Sequence, residues 1–181
     1  MKRMGVLKIK IERYLVKEQL FKNNEHFKLE KPFLTKARKN YTAANLLFRI
    51  SEQEDLKKIL TLPYGFEVYD WVIIVSYYAM YTSALAALAK LGFKSKSHAA
   101  TIAVLEYHYV HGDKSLETMH IHKLTKAYAL SEELITKLIK TKTKRESAQY
   151  DATPGISREN AVTALEDAEQ FVTKIEEILS K

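Results

Sequence analysis

An all-α fold follows from three observations: few chain breakers, apolar stripes at helical spacing, and one long uncharged run. Three prolines and five glycines among 181 residues leave few places for the chain to turn, and those places divide it into long segments. Within the segments apolar residues recur at alternating spacings of three and four, the mark of a helix with one buried face. Trp71 to Ala89 run nineteen positions without a formal charge. Such a run is either a membrane span or the buried central helix of a domain, since ~20 apolar residues cover a bilayer core. The hydroxyls of Ser76, Tyr77, Tyr78, Tyr81, Thr82 and Ser83 favour burial in protein, because they need partners that lipid tails do not supply. Lys90, Lys94 and Lys96 on one flank speak for the membrane alternative.

Taken in order, Leu7, Ile9 and Ile11 alternate with Lys8, Lys10 and Glu12 at a strand period, but Tyr14, Leu15, Val16, Leu20 and Phe21 continue at a helical one. A helix over 7–21 is expected, because an isolated strand would have nothing to pair with. After Pro32, the stripe Leu34, Ala37, Tyr41, Ala44 and Phe48 predicts a second helix. Ser51 to Glu54 matches a capping box and predicts a short helix through Leu60. Leu62 to Gly65 reads as a loop, followed by the central helix over 68–91 with Gly92 as its stop. Ser97 is placed to cap a helix over 98–110, which Gly112 and Asp113 end. Ile121, Leu124, Tyr128, Ile135 and Leu138 set the inner face of a long helix over 117–144. Beyond Thr153, Pro154 and Gly155, Ser157 caps a last helix with the stripe Val162, Leu165, Ala168, Val172, Ile175 and Leu179.

Composition narrows the chemistry. The chain has no cysteine, which removes disulfides, thiolate metal sites and thiol catalysis. The basic start, Met1 to Lys8, leads into no apolar stretch of signal-peptide length, so a cytoplasmic protein is expected. A formal charge of +7 suits an anionic partner such as nucleic acid, nucleotide or acidic protein, and equally a charged solvated surface. The positive charge is clustered: Lys137, Lys140, Lys142, Lys144 and Arg145 fall within nine residues, and Lys90, Lys94 and Lys96 form a second group. The last segment is acidic, with Glu159, Glu166, Asp167, Glu169, Glu176 and Glu177.

Four histidines lie close together in sequence: His108, His111, His120 and His122. The first two share a helix face, but the last two point apart, and no helical two-histidine metalloprotease pattern surrounds them. No metal site and no cofactor is expected. His98 follows Lys94 and Lys96 at a helix N-terminus, where backbone amides and the helix dipole favour phosphate; packing in the first turn is the alternative. At the end of the long helix, Arg145 has the planar fork for a phosphate, and Tyr150 a ring for a base; pairing of Arg145 with Glu146 or Asp151 competes with this. No glycine-rich phosphate loop, serine nucleophile pattern or carboxylate metal motif occurs.

Four strings in register, Tyr69-Asp70-Trp71-Val72-Ile73-Ile74, Ser76-Tyr77-Tyr78-Ala79-Met80-Tyr81, Leu91-Gly92-Phe93-Lys94-Ser95-Lys96-Ser97-His98 and Arg145-Glu146-Ser147-Ala148-Gln149-Tyr150, resemble the HEPN (higher eukaryotes and prokaryotes nucleotide-binding) family. The branch they resemble is that of small prokaryotic proteins. The likeness spans about Pro32 to Leu179 and makes residues 1–31 an N-terminal helical extension of a bundle over 32–181. It implies an up-and-down bundle of five to six helices, a homodimer, and a minimal nucleotidyltransferase partner in a toxin–antitoxin type of pair. Many family members are metal-independent RNases with an arginine and a histidine separated by four to six intervening residues, duplicated across a dimer cleft. Counting from Arg145, those later positions hold Tyr150, Asp151 and Ala152, so the histidine is missing. A phenol of ordinary pKa ~10 is a poor base at neutral pH.

A binding module for RNA or nucleotide is therefore the leading expectation. An RNase using Arg145, Tyr150 and Asp151 is second, and a protein-interaction subunit third. The ligand-binding set expected is Lys94, Lys96, His98, Lys144 and Arg145, with no membrane partner.

Overall fold

The computed structural model describes residues 2–144 and 157–181, with side chains over 3–136 and 157–181. Seven α-helices lie within those residues: α1 (Lys2–Val16), α2 (Glu30–Glu52), α3 (Glu54–Ile59), α4 (Tyr69–Ala89), α5 (His98–Leu105), α6 (Thr118–Lys144) and α7 (Arg158–Leu179). A 3-10 turn, Asn24–Leu29, precedes α2, and a π-helical turn, Glu106–Val110, continues α5. Two short strands, β1 (Leu20–Lys22) and β2 (Phe93–Ser95), pair antiparallel.

α4 is the axis of the bundle, packed by α2, α7 and α6. Ala79, Ala84, Ala86, Ala87 and Ala89 are wholly buried; their small side chains let neighbouring helices come close. Of the described helices it alone is long and apolar enough to cross a membrane, and 78% of its most apolar window is buried in the bundle. The hydroxyl argument for burial holds for Tyr81, which hydrogen-bonds Thr101 of α5, but not for Thr82 and Ser83. Thr82 donates to the Tyr78 carbonyl at 2.6 Å and Ser83 to that of Met80 at 2.8 Å, partners that the helix carries with it into any medium. The covering helices, not those hydroxyls, decide the matter.

Around α4 the larger core cluster joins Met80 and Leu88 to Leu105, Leu124, Phe171 and Ile175, and it includes Leu7 and Ile11 of α1. A smaller cluster gathers Tyr69, Val72, Ile73, Leu134 and Ala161. The expected boundary at residues 31 and 32 falls in the first turn of α2, where Pro32 is tolerated because its nitrogen needs no helical partner.

Three local expectations are corrected. The helix expected over 7–21 ends at Val16; Glu18 turns the chain at φ +53°, and 20–22 form β1 instead. The missing partner strand lies more than seventy residues on, at 93–95, beyond the reach of local periodicity. Ser51 does not cap α3. It stays in α2, donates to the Leu47 carbonyl at 3.0 Å and accepts from the Val68 amide at 3.1 Å, while Gln53 holds the cap position of α3 without a side-chain bond. The helix expected over 98–110 changes at Glu106 to the π turn. That turn closes with His111 N to Glu106 O at 2.9 Å and Asp113 N to His108 O at 3.0 Å. Gly112 passes so close to the His108 carbonyl that a Cβ would lie 2.3 Å from its oxygen.

Candidate nucleic-acid interface

The two strands place cations on one cleft. Their register pairs Leu20 with Ser95, Phe21 with Lys94 and Lys22 with Phe93, and the ladder extends through Lys96 N to Gln19 O and Asn23 N to Gly92 O, both 2.9 Å. Side chains alternate across a strand. Leu20 and Phe93 accordingly turn inward, 1% and 4% exposed, while Phe21 shares the outer face with Lys94 and Lys96. The Lys96 ammonium lies 4.6 Å from the Phe21 ring centre, and that of Lys22 lies 5.0 Å from that of Phe93. Among the described residues none of these lysines sits in an ion pair. Together with Leu15, Asn23 and His26 they line a cleft of about 480 Å3. His26 is held there by its Nδ1, which donates to the Gly92 carbonyl at 3.2 Å.

Gly92 makes this arrangement possible. It sits at φ +75°, and a Cβ there would meet the Asn23 carbonyl oxygen at 3.4 Å and the Phe27 ring at 3.5 Å. A residue with a side chain would be strained in that conformation and would press on the turn after β1.

His98 takes a different direction from its two lysine neighbours. Ser97 caps α5, its hydroxyl accepting from the Ala100 amide at 3.4 Å, and His98 turns into a group of tyrosines. Its ring stacks on Tyr128 with centres 3.9 Å apart at 12°, and lies 5.6 Å from Tyr81 and 6.1 Å from Tyr77. Both ring nitrogens are buried with no hydrogen-bond partner, as are the hydroxyls of Ser76 and Ser131. Burial without a partner disfavours the charged imidazolium and lowers the His98 pKa to about 4. At neutral pH the ring is therefore an aromatic plate and contributes no positive charge. Burial likewise raises the pKa values of Tyr77 and Tyr81.

Of the residues singled out from the sequence, Lys94 and Lys96 share the cleft and His98 lies in the ring cluster. Lys144 is at the last position of α6. Arg145, Tyr150 and Asp151 lie outside the described residues. Local sequence reasoning missed Phe21, Lys22 and His26 on the cleft, because only the β pairing brings them to β2. It also missed the meeting of Tyr77 and Tyr81 with Tyr128, although the tyrosine density of α4 was visible. Of the clustered histidines, His120 accepts at Nδ1 from the Glu117 amide at 3.1 Å, and His108 packs on Phe93 and Tyr107.

A second charged group ties the bundle at the other end of α4. Glu52 accepts from the Tyr69 hydroxyl at 2.7 Å and from Arg158, whose Nη2 is 2.6 Å away. The Arg158 contact, then the Tyr69 bond, holds the Glu52 carboxyl below the usual carboxylate range. Burial and the same carboxylate raise the Tyr69 phenol to about 12.

The helical bundle, the tyrosine-rich axial helix and the lysine-bearing turn that follows it define a HEPN-type domain. A sequence model of the HEPN domain matches residues 31–178, and the chain belongs to that family. No curated protein matches it.

Proposed function

We propose that this protein binds RNA or a nucleotide in the cytoplasm, with the cleft between β1 and β2 as its phosphate-receiving surface. The observation that carries the reading is that Lys22, Lys94 and Lys96 line one cleft, Lys96 over Phe21 and Lys22 over Phe93, with no carboxylate among the described residues paired to any of them. Uncompensated cations attract phosphate, and an aromatic ring among them offers a base a surface to stack on. Family membership supports the same class of ligand.

The test is RNA affinity as a function of salt. With three phosphates contacted, the slope of log affinity against log salt should be about −2 for a single strand. Lys94→Ala and Lys96→Ala should each flatten it by about 0.7. A protein that shows no RNA affinity even at ~50 mM salt, where phosphate contacts are strongest, would exclude the reading.

Metal-independent RNA cleavage by Arg145, with Tyr150 or Asp151, is the enzymatic alternative, carried by the family resemblance of that string. Arg145→Ala abolishing cleavage in a metal-free assay would support it. Homodimerisation and pairing with a minimal nucleotidyltransferase belong to the same proposal: co-purification with such a partner and a dimer in sedimentation are the expected results.

A further inference from the structure

α1 carries two apolar stripes and buries only one. Leu7 and Ile11 lie in the larger core cluster, with Tyr14 and Leu15 packed against it. On the outer face Val6, Ile9 and Val16 are 53%, 51% and 84% exposed. With Arg13 they follow one another at spacings of three, four and three, the a and d positions of two heptads, and so form one seam along the helix. Single exposed aliphatic residues are ordinary on a protein surface, but a row of them in register is not a scatter. Nor does α1 need them in order to be a helix, since β-branched residues are weaker helix formers than the lysines around them. The inner stripe fixes the helix in place, as does Arg3, which pairs with Glu106 at 3.5 Å. The family match begins at residue 31 and does not account for this face.

Charge says what the seam fits. In that register Lys10 and Lys17 hold the e positions beside it, and Arg13 lies within it. Lys17 is still helical, its amide bonded to the Arg13 carbonyl at 3.0 Å. All three cations are exposed, and among the described residues none of them sits in an ion pair. A second copy does not suit the seam: a parallel pairing sets Arg13 against Arg13, and an antiparallel one sets the e-position lysines against each other. A bilayer takes a broad apolar face with interfacial aromatic rings, whereas this seam is narrow, is interrupted by Arg13 and turns no aromatic ring outward. Valine and isoleucine also offer nucleic-acid bases no plane to stack on.

We infer that α1 docks a single amphipathic helix of an acidic partner protein. That helix lays apolar residues at heptad spacing against Val6, Ile9 and Val16, sets one carboxylate opposite Arg13, and carries flanking carboxylates that reach Lys10 and Lys17. The charged position within the seam fixes the register of the pair. Two heptads are short for a free coiled coil, but α1 is already folded against the bundle, so docking orders only the partner. The inference is independent of the cleft reading above.

The full chain is titrated with a synthetic peptide of about three heptads that has leucine at a and d, one glutamate in its seam to face Arg13, and glutamate at e and g. Wild type should bind it at least about tenfold more tightly than the same peptide with lysine for every glutamate. Ile9→Asn alters no charge at an exposed position; it should weaken binding by about tenfold, the loss of one buried aliphatic contact, with the melting temperature unchanged. Val16→Asn, at the other end of the seam, repeats that measurement. Arg13→Glu should weaken binding at least as much, and a peptide with lysine at the facing seam position alone should restore it.

Absence of binding to wild type overturns the inference. So does undiminished binding in Ile9→Asn and Val16→Asn, which would put the acidic peptide on cations elsewhere, the lysine cleft included. Equal binding of the acidic and basic peptides, or failure of the seam lysine to rescue Arg13→Glu, overturns it as well. A dimer that Ile9→Asn splits would give the face to a second copy. Sedimentation with vesicles of equal parts phosphatidylcholine and phosphatidylserine, abolished by Ile9→Asn, would give it to a membrane; either result removes the acidic helix.

Discussion

At His98 the ring owes its neutrality to its surroundings, and this has a sign that can be measured. Its pKa of about 4 lies below the 6.5 of an exposed histidine, so the unfolded chain takes up the proton first as pH falls. The contribution is complete above pH 6.5, is lost as pH drops toward 4, and changes no further below that. Allowing for partial solvent screening, the loss should be about 2 kcal/mol. His98→Phe keeps a flat ring on Tyr128 and removes the proton site; urea melts across that pH interval should show a shallower acid loss than wild type. Tyr109 supplies a second test. Its buried hydroxyl donates to the Ala87 carbonyl at 2.8 Å, and Tyr109→Phe should cost about 1 kcal/mol in the same melts.

Among the elements, the β1–β2 pair depends most on a single residue. Gly92→Ala places a side chain at φ +75° against Asn23 and Phe27, and should cost about 1–2 kcal/mol by thermal melting. It should also weaken RNA binding, because the same turn sets Lys94 and Lys96 beside Phe21. If stability falls while RNA affinity and its salt slope stay unchanged, the cleft is not where phosphate binds. The element α7 shows how far a local stripe can be read. Ala168, Val172 and Ile175 of the expected stripe are fully buried, but so is Phe171, which sits one position off the stripe and faces the axial helix region. Phe171→Ala should cost about 3–5 kcal/mol, the largest loss among these substitutions.

For the whole molecule, the charge that matters is its distribution. Of the 29 lysines and arginines behind the formal +7, some are held in internal ties: Arg38 to Glu176, Lys123 to Asp167 and Arg158 to Glu52 join helices distant in sequence. What remains unpaired on the cleft is the part able to meet a phosphate. The Glu52 tie gives an independent check on assembly. Glu52→Leu removes the acceptor of both Tyr69 and Arg158 and should lower the melting temperature without altering the salt dependence of RNA binding. A changed salt slope in that variant would mean that the two ends of α4 are coupled.

The helices themselves were legible because their information is local. Three-and-four spacing marked the stripes, Ser97 and Ser157 sit where their hydroxyls accept from Ala100 and Asn160, and the uncharged run marked a long helix that was either a membrane span or a buried axis. Pairing between distant segments obeys no local period. Only the tertiary structure therefore decided that Leu20–Lys22 is a strand, that Ser51 answers Val68 and not α3, and that Lys96 faces Phe21 while His98, two residues later, is sealed among tyrosines. Hydrogen bonding and desolvation across the fold set each of these.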